Sequence, residues 1–138
     1  MGIPLVSVLL LTWNGAGTLP GVLSAVRSQD ASVPVELVAV DSGSRDGTAA
    51  LLRGRVDRLI EIPRAAFNHG TTRNLGIEAC RGQLVVLLAQ DAEPASASWL
   101  VRLIEPFLAH EAGGGAEKPT PPAAAAGGNR AVLAGTYA

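Results

Sequence analysis

Three stretches of this chain are apolar almost without interruption and then break directly into polar residues. Leu5–Leu11 runs into Thr12-Trp13-Asn14-Gly15, Val35–Val40 into Asp41-Ser42-Gly43-Ser44, and Gln83–Ala89 into Gln90-Asp91. A strand with one wet face alternates apolar and polar residues. An unbroken run marks a strand covered on both faces, as in a parallel sheet flanked by helices. Parallel strands in turn need long crossover connections, usually helical.

The intervening sequence supplies those crossovers. From Thr18 to Gln29, Leu19, Val22, Leu23 and Val26 recur at helical spacing, with Thr18 as a cap and Pro20 tolerated in the first turn. Asp46 is placed to cap a second helix through Thr48, Leu51 and Leu52, and Leu59–Ile62 reads as a short strand closed by Pro63. Thr71–Cys80 reads as a helix packing through Leu75, Ile77 and Ala79, with Gly82 as its C-cap. Ser96–Leu108 is a last helix, with Trp99, Leu100, Leu103, Ile104 and Phe107 on its apolar side. Alternating strands and helices predict an α/β fold with a largely parallel sheet. The strand ends then share one rim, which is where open α/β sheets bind ligands.

Composition narrows the function classes. With 138 residues and 48% hydrophobic content the chain can build one domain with a real core. A formal net charge of -1 argues against a nucleic-acid partner held by a basic field. Cys80 is the only cysteine, so an intrachain disulfide is excluded; it reads as a buried helix residue and suits a reducing compartment. The N-terminal segment has no basic n-region or small-residue cleavage site. Its apolar run is far shorter than the ~20 residues of a spanning helix. The expected location is therefore the cytoplasm, with no transmembrane segment and room for peripheral membrane association. Residues 1–110 are expected to form the domain. Residues 111–138, rich in Ala, Gly and Pro, are expected to form a flexible tail with a short ordered piece at Ala131–Leu133.

The rim residues carry the chemistry. Asp41 at a strand end can accept hydrogen bonds from a ligand, and a turn alone does not require an acid there. Ser42 and Ser44 add donors and acceptors, while Gly43 and Gly47 permit tight turns and close backbone approach. Asp46 is equally well explained as a helix cap, and Asn14 as part of an Asn-Gly turn. Thr12 and Trp13 fit either a pocket wall or the core. Arg73 and Asn74 follow a glycine-containing loop near a helix start, where backbone N–H groups and a guanidinium favour phosphate; a surface ion pair would explain them too. His69 suits a ligand, a proton donor or simple loop satisfaction. No His/Cys cluster suggests zinc. Asp91, just past a buried strand, can hold Mg²⁺ or Mn²⁺ together with a diphosphate, or simply cap a turn near Pro94.

Taken in order, VSVLLLTWN, VAVDSGSRDGT, FNHGTTRNLG and LVVLLAQDAEP resemble the N-terminal half of glycosyltransferase family 2, which has the GT-A fold. The likeness covers about Pro4 to Leu108. The forms FNHGTTRN and QDA look most like rhamnosyltransferase-type members, which transfer deoxysugars such as rhamnose from dTDP-rhamnose and build cell-surface polysaccharide. The resemblance implies an inverting transfer from a dTDP- or UDP-sugar to a glycan or lipid-linked acceptor. It implies a nucleotide-sugar site made by Thr12, Asn14, Asp41, Ser42, Ser44, Asp46, Arg73, Asn74, Gln90 and Asp91. In it Asp41 reads the base, Arg73 and Asn74 approach the diphosphate, and Asp91 is the metal ligand.

Two departures qualify this. Ala89 stands where the first acid of the family's D-x-D motif usually lies, leaving A-Q-D. The catalytic base of inverting members comes from a later half, and here only Glu111 and Glu117 follow the matched segment, so no base is assigned. The alternative is therefore a nucleotide-sugar-binding fragment without turnover. An unrelated α/β module, such as a flavodoxin-like receiver, ranks behind both; neither a G-x-G-x-x-G fingerprint nor a Walker lysine is present.

Overall fold

The structure, a computed structural model, describes residues 6–30, 33–113 and 131–134. Its strands are β1 (Val6–Thr12), β2 (Val35–Asp41), β3 (Arg58–Glu61), β4 (Leu84–Ala89) and β5 (Ala131–Ala134). The helices are α1 (Leu19–Arg27), α2 (Thr48–Leu52), α3 (His69–Ala79) and α4 (Trp99–Gly113), with a 3-10 turn at Arg64–Ala66 before α3. The sheet order is β3-β2-β1-β4-β5 and every pairing is parallel. The chain lays β2 and β3 on one side of β1, then crosses over to lay β4 on the other. The topological switch point thus falls between β1 and β4, at the ends of the runs that break into Thr12 and Gln90.

The lack of alternation in the strands has its expected cause. Val6, Val8 and Leu10 of β1 face one core with Leu19, Val22, Leu23 and Val26 of α1 and Trp99, Leu100 and Ile104 of α4. Leu9 faces the other core with Val38, Val40, Val85 and Ile77 of α3. Gly76 sets how closely α3 can approach the sheet: a Cβ there would stand 2.7 Å from Leu9 Cδ1 and 3.2 Å from Val40 Cγ2.

Several boundaries differ from the sequence expectation, each for a local reason. α3 begins at His69 rather than Thr71, because the Asn68 side chain accepts from Gly70 N (3.0 Å) and Thr71 N (3.1 Å) and caps it two residues earlier. It ends at Cys80, a buried extended C-cap, rather than at Gly82. Gly82 N instead donates to Ser7 Oγ at 2.9 Å. The Ser7 hydroxyl and Arg81 N in turn donate to Glu36 Oε2, both at 2.6 Å, which accounts for a serine and a glutamate inside otherwise apolar strands. Leu75 is exposed and does not pack as expected. Thr18 precedes α1 without a capping bond from its side chain. α4 starts at Trp99, runs past Leu108 to Gly113 and contains Pro106. Of the expected tail, 114–130 and 135–138 lie outside the described residues. The short ordered piece is β5, paired with β4 from Leu84↔Ala131 to Leu87↔Ala134.

Candidate nucleotide-sugar site

Three loops leave the C-terminal ends of β1, β2 and β4, and side-chain hydrogen bonds lock them together. Thr12 and Asp41 are register partners across β1 and β2. Thr12 Oγ1 donates to Asp41 Oδ1 at 2.7 Å. Ser44 donates twice to the same carboxylate, from Oγ to Oδ1 at 2.6 Å and from N to Oδ2 at 3.0 Å. Asp41 is only 2% exposed, and among the described residues its charge is met by these dipoles and by no ion pair. A carboxylate has about four acceptor positions, and these three bonds fill three of them.

Asn14 joins the first two loops from the outside. It adopts the left-handed conformation (φ 50°), which asparagine tolerates better than most residues. Its N–H donates to Ser44 Oγ at 2.8 Å and its Oδ1 accepts from Arg45 N at 2.8 Å. Asp46 makes a second clasp. Oδ2 accepts from Ala16 N at 3.0 Å, and Oδ1 accepts from the backbone N–H and the hydroxyl of Thr48. Those bonds, the Thr48 hydroxyl foremost and then the Ala16 N–H, hold the Asp46 carboxyl below its ordinary value of 3.8. Buried Thr48 completes the joint by accepting from Gly15 N at 2.9 Å. Both readings of Asp46 and of Asn14 therefore have a structural component. Asp46 holds the α2 entry, though Gly47 occupies the cap position, and Asn14 turns the chain while clamping its neighbour.

The β4 loop is fastened by Gln90. Its Oε1 accepts from Trp13 N at 2.9 Å and its Nε2 donates to Trp13 O at 3.0 Å, a two-point pairing with the β1 loop main chain. Thr18 Oγ1 donates to Gln90 O at 2.9 Å. Ser42 is buried, with Oγ within 3.3 Å of Thr12 O and of Arg64 Nη1.

The structure thus gathers Thr12, Asn14, Asp41, Ser42, Ser44, Asp46 and Gln90 into one hydrogen-bonded rim. Arg73, Asn74 and Asp91 stand apart from that network. Arg73 and Asn74 lie in the second turn of α3, not at its start, and the first-turn N–H groups of Gly70 and Thr71 are met by Asn68. Arg73 Nε is buried without a hydrogen-bond partner among the described residues. Asp91 is exposed, and among the described residues its carboxylate accepts no hydrogen bond. No group of three or more His, Cys, Asp and Glu residues is assembled for a metal among the described residues. A cation held here would have one protein carboxylate. That donor set fits Mg²⁺ or Mn²⁺, which take hard oxygen ligands and fill their shells from phosphate and water.

Sequence reasoning missed Arg64. Its guanidinium carbon lies 4.0 Å from the Trp13 ring centroid and 4.8 Å from that of Phe67. Phe67 meets His69 edge-on at 4.9 Å. Gly43 (φ 78°) admits the Arg64 backbone, since a Cβ would stand 2.8 Å from Arg64 N. That glycine, expected to permit a close backbone approach as well as a tight turn, is the one sequence signal of the contact.

With this geometry in place, similarity to known proteins is informative. Residues 7–115 match the sequence profile described as Glycosyl transferase family 2. The chain belongs to glycosyl transferase family 2. Over 114 residues it is 30% identical to the O-antigen chain rhamnosyltransferase RfbN of Salmonella typhimurium, covering 78% of this chain and 36% of that one. It is 35% identical over 92 residues to the succinoglycan biosynthesis protein ExoO of Rhizobium meliloti, covering 64% and 26%. The chain thus spans about a third or less of the curated relatives it matches. Among solved structures, the Pyrobaculum calidifontis mannosyltransferase PcManGT, in complex with GDP-Man and Mn²⁺, superposes with a TM-score of 0.66 at 26% identity, over 75% of this chain and 32% of that one. Staphylococcus aureus TarS 1-349 in complex with UDP-GlcNAc gives 0.62 at 22% identity, over 77% and 32%. The fold is GT-A, a Rossmann-like parallel sheet with helices on both faces.

Proposed function

We propose that this chain forms the donor-binding part of an inverting glycosyltransferase that takes a sugar from a nucleoside-diphosphate donor. The observation that carries the proposal is the rim between β1, β2 and β4. There a buried carboxylate, Asp41, keeps one acceptor position, and an exposed carboxylate, Asp91, has no partner among the described residues. Asp41 suits a pyrimidine N–H. Asp91 suits a divalent cation shared with the diphosphate, and the Mn²⁺ in PcManGT supports that choice. Arg73 and Asn74 approach the diphosphate from α3. Asn14, Ser44, Asp46 and Gln90 hold the loops that frame the base, and Thr12 and Ser42 contribute from the buried side.

The chemistry follows from this division of labour. A base takes the proton of the acceptor hydroxyl as its oxygen attacks the anomeric carbon. The bond from that carbon to the diphosphate breaks, and the charge collects on the diphosphate. The cation neutralises that charge when bound. Asp91 anchors the diphosphate end, and Asp41 fixes the register of the base. The rhamnosyltransferase of Salmonella supports a deoxysugar such as rhamnose, carried by dTDP or UDP, and a glycan or lipid-linked acceptor of cell-surface polysaccharide. No helix among the described residues is long and apolar enough to cross a membrane. The proposed reading places the work at the cytoplasmic side, with peripheral attachment serving a lipid-linked acceptor.

Calorimetric titration of the full chain with dTDP and UDP, each with and without Mn²⁺, tests this reading. Expected is binding that strengthens with Mn²⁺ and that Asp91→Asn makes metal-independent. A folded protein that binds neither nucleotide refutes the donor site. Binding without sugar transfer to any acceptor favours the second reading, a nucleotide-sugar-binding unit.

A further inference from the structure

Arg64 is held at the rim by three contacts and is neutralised by none of them. Its guanidinium rests on Trp13 at 4.0 Å and beside Phe67 at 4.8 Å, and its Nη1 donates to Ser42 Oγ at 3.3 Å. Among the described residues the ion pairs are Arg27–Asp57 and Arg53–Glu61, so Arg64 has no carboxylate partner there. A guanidinium carries five N–H donors, and among the described residues only the one bond to Ser42 is made. Aromatic faces orient a guanidinium without consuming its donors, because the attraction acts on the ring face and leaves the edge of the fork open. The residue also ties the β1, β2 and β3–α3 loops together, through Trp13, Ser42 and Phe67. A flat cation fixed in place, with an open fork and no counter-ion, is suited to an anion.

We infer that Arg64 is a donor-diphosphate contact and that Trp13 and Phe67 are its support. The inference rests on the proposed nucleotide-sugar site and extends it to a residue on the β3–α3 loop. The diphosphate brings the counter-charge that Arg64 lacks among the described residues, and the ordering of the arginine side chain is already met by the two rings. Arg64 thereby selects nucleoside diphosphates over nucleosides, while Asp41 reads the base. Trp13, 42% exposed, reports occupancy through its emission, whereas Trp99 is buried in the core.

The test compares the wild type with Arg64→Met, which keeps an apolar stem against the rings and removes the charge. Each is titrated with dTDP, UDP and GDP, and with the corresponding nucleosides, by calorimetry and by Trp13 emission, with Mn²⁺ in every arm. Urea midpoints check that the variant, altered at an exposed position, is folded; Arg64→Lys, which keeps the charge, serves as a second variant. The expected result is a loss of about tenfold or more for the diphosphates with Arg64→Met, the scale of one charge-assisted contact. Nucleoside binding should be unchanged, diphosphate binding should depend less on salt, and Arg64→Lys should recover part of the loss. Equal losses for diphosphate and nucleoside, or none for either, would overturn the inference and leave the donor site standing. Failure of the wild type to bind any nucleotide would overturn both.

Discussion

Replacing Asp41 by asparagine separates the carboxylate's charge from its shape. The side chain is buried, and its two oxygens receive three bonds, at 2.7, 2.6 and 3.0 Å, from Thr12 Oγ1, Ser44 Oγ and Ser44 N. Asparagine fits the same volume. Its amide oxygen can keep the two hydroxyl bonds, and then its NH2 faces the Ser44 N–H. Turned over, it keeps the Ser44 N–H, and the hydroxyls must reverse; yet Ser44 Oγ already accepts from Asn14 N at 2.8 Å. The first orientation sets two donors against each other, the second takes the acceptor away from both hydroxyl protons, and in each the remaining bonds lose their charge assistance. Bonds to charged groups contribute roughly 1.5–3 kcal/mol and neutral ones roughly 0.5–1.5. Three such exchanges, partly offset by no longer burying an ion, leave a loss of about 2 kcal/mol. At roughly 4 °C per kcal/mol for a chain of this size, the midpoint should fall by ~8 °C. Urea and thermal melts of Asp41→Asn beside Thr12→Val measure it. Thr12→Val deletes one donor but keeps the acid; it should lose about 1 kcal/mol of stability and retain nucleotide binding. Asp41→Asn should lose nucleotide binding at temperatures where it is still folded. An unchanged midpoint for Asp41→Asn would refute the claim that the acid holds the loop. Equal nucleotide affinity in both variants would refute its role in reading the base.

Three further outcomes are expected. The Asp46 carboxyl titrates below 3.8 in the folded chain, so its contribution is complete above that pH and is lost as acid takes the pH down through the folded value. Asp46→Asn should thus lose less stability than the wild type in urea melts moved from about pH 6 to about pH 3, and parallel losses would exclude the effect. Gly76→Ala gains roughly 1 kcal/mol of helix propensity but drives a methyl to 2.7 Å from Leu9 Cδ1 in a packed core. The overpacking cost of about 1–3 kcal/mol should win by about 1 kcal/mol, and a stabilised variant would show that α3 can lift off the sheet freely. Asp91→Asn, at an exposed position without a partner among the described residues, should move the urea midpoint by no more than ~0.5 kcal/mol equivalent. It should nevertheless remove the Mn²⁺ enhancement of dTDP or UDP binding, and an enhancement that persists would place the cation elsewhere.

The sheet was legible because burial on both faces removes the polar alternation from a strand, and that signature survives in one dimension. Val35–Val40 and Leu84–Ala89 could hardly have been anything else. Helix ends were less legible, since a cap is a competition among nearby side chains. Asn68 outbids Thr71 by accepting two backbone N–H groups, which no periodicity reveals. The site was half legible for a related reason. Polar residues at strand ends announce a rim, but their types do not say whether they face a ligand or one another. Gln90 has the chemistry of a ligand contact, yet both ends of its amide are engaged by the Trp13 main chain, 77 positions away. Asp41, Asn14 and Asp46 likewise have most or part of their capacity used between loops. The rim is therefore a scaffold before it is a binding surface. Its stiff members hold the loops, and groups left with open valences, among them Asp91 and the fork of Arg64, are the ones that the proposed reading assigns to a metal-bound diphosphate.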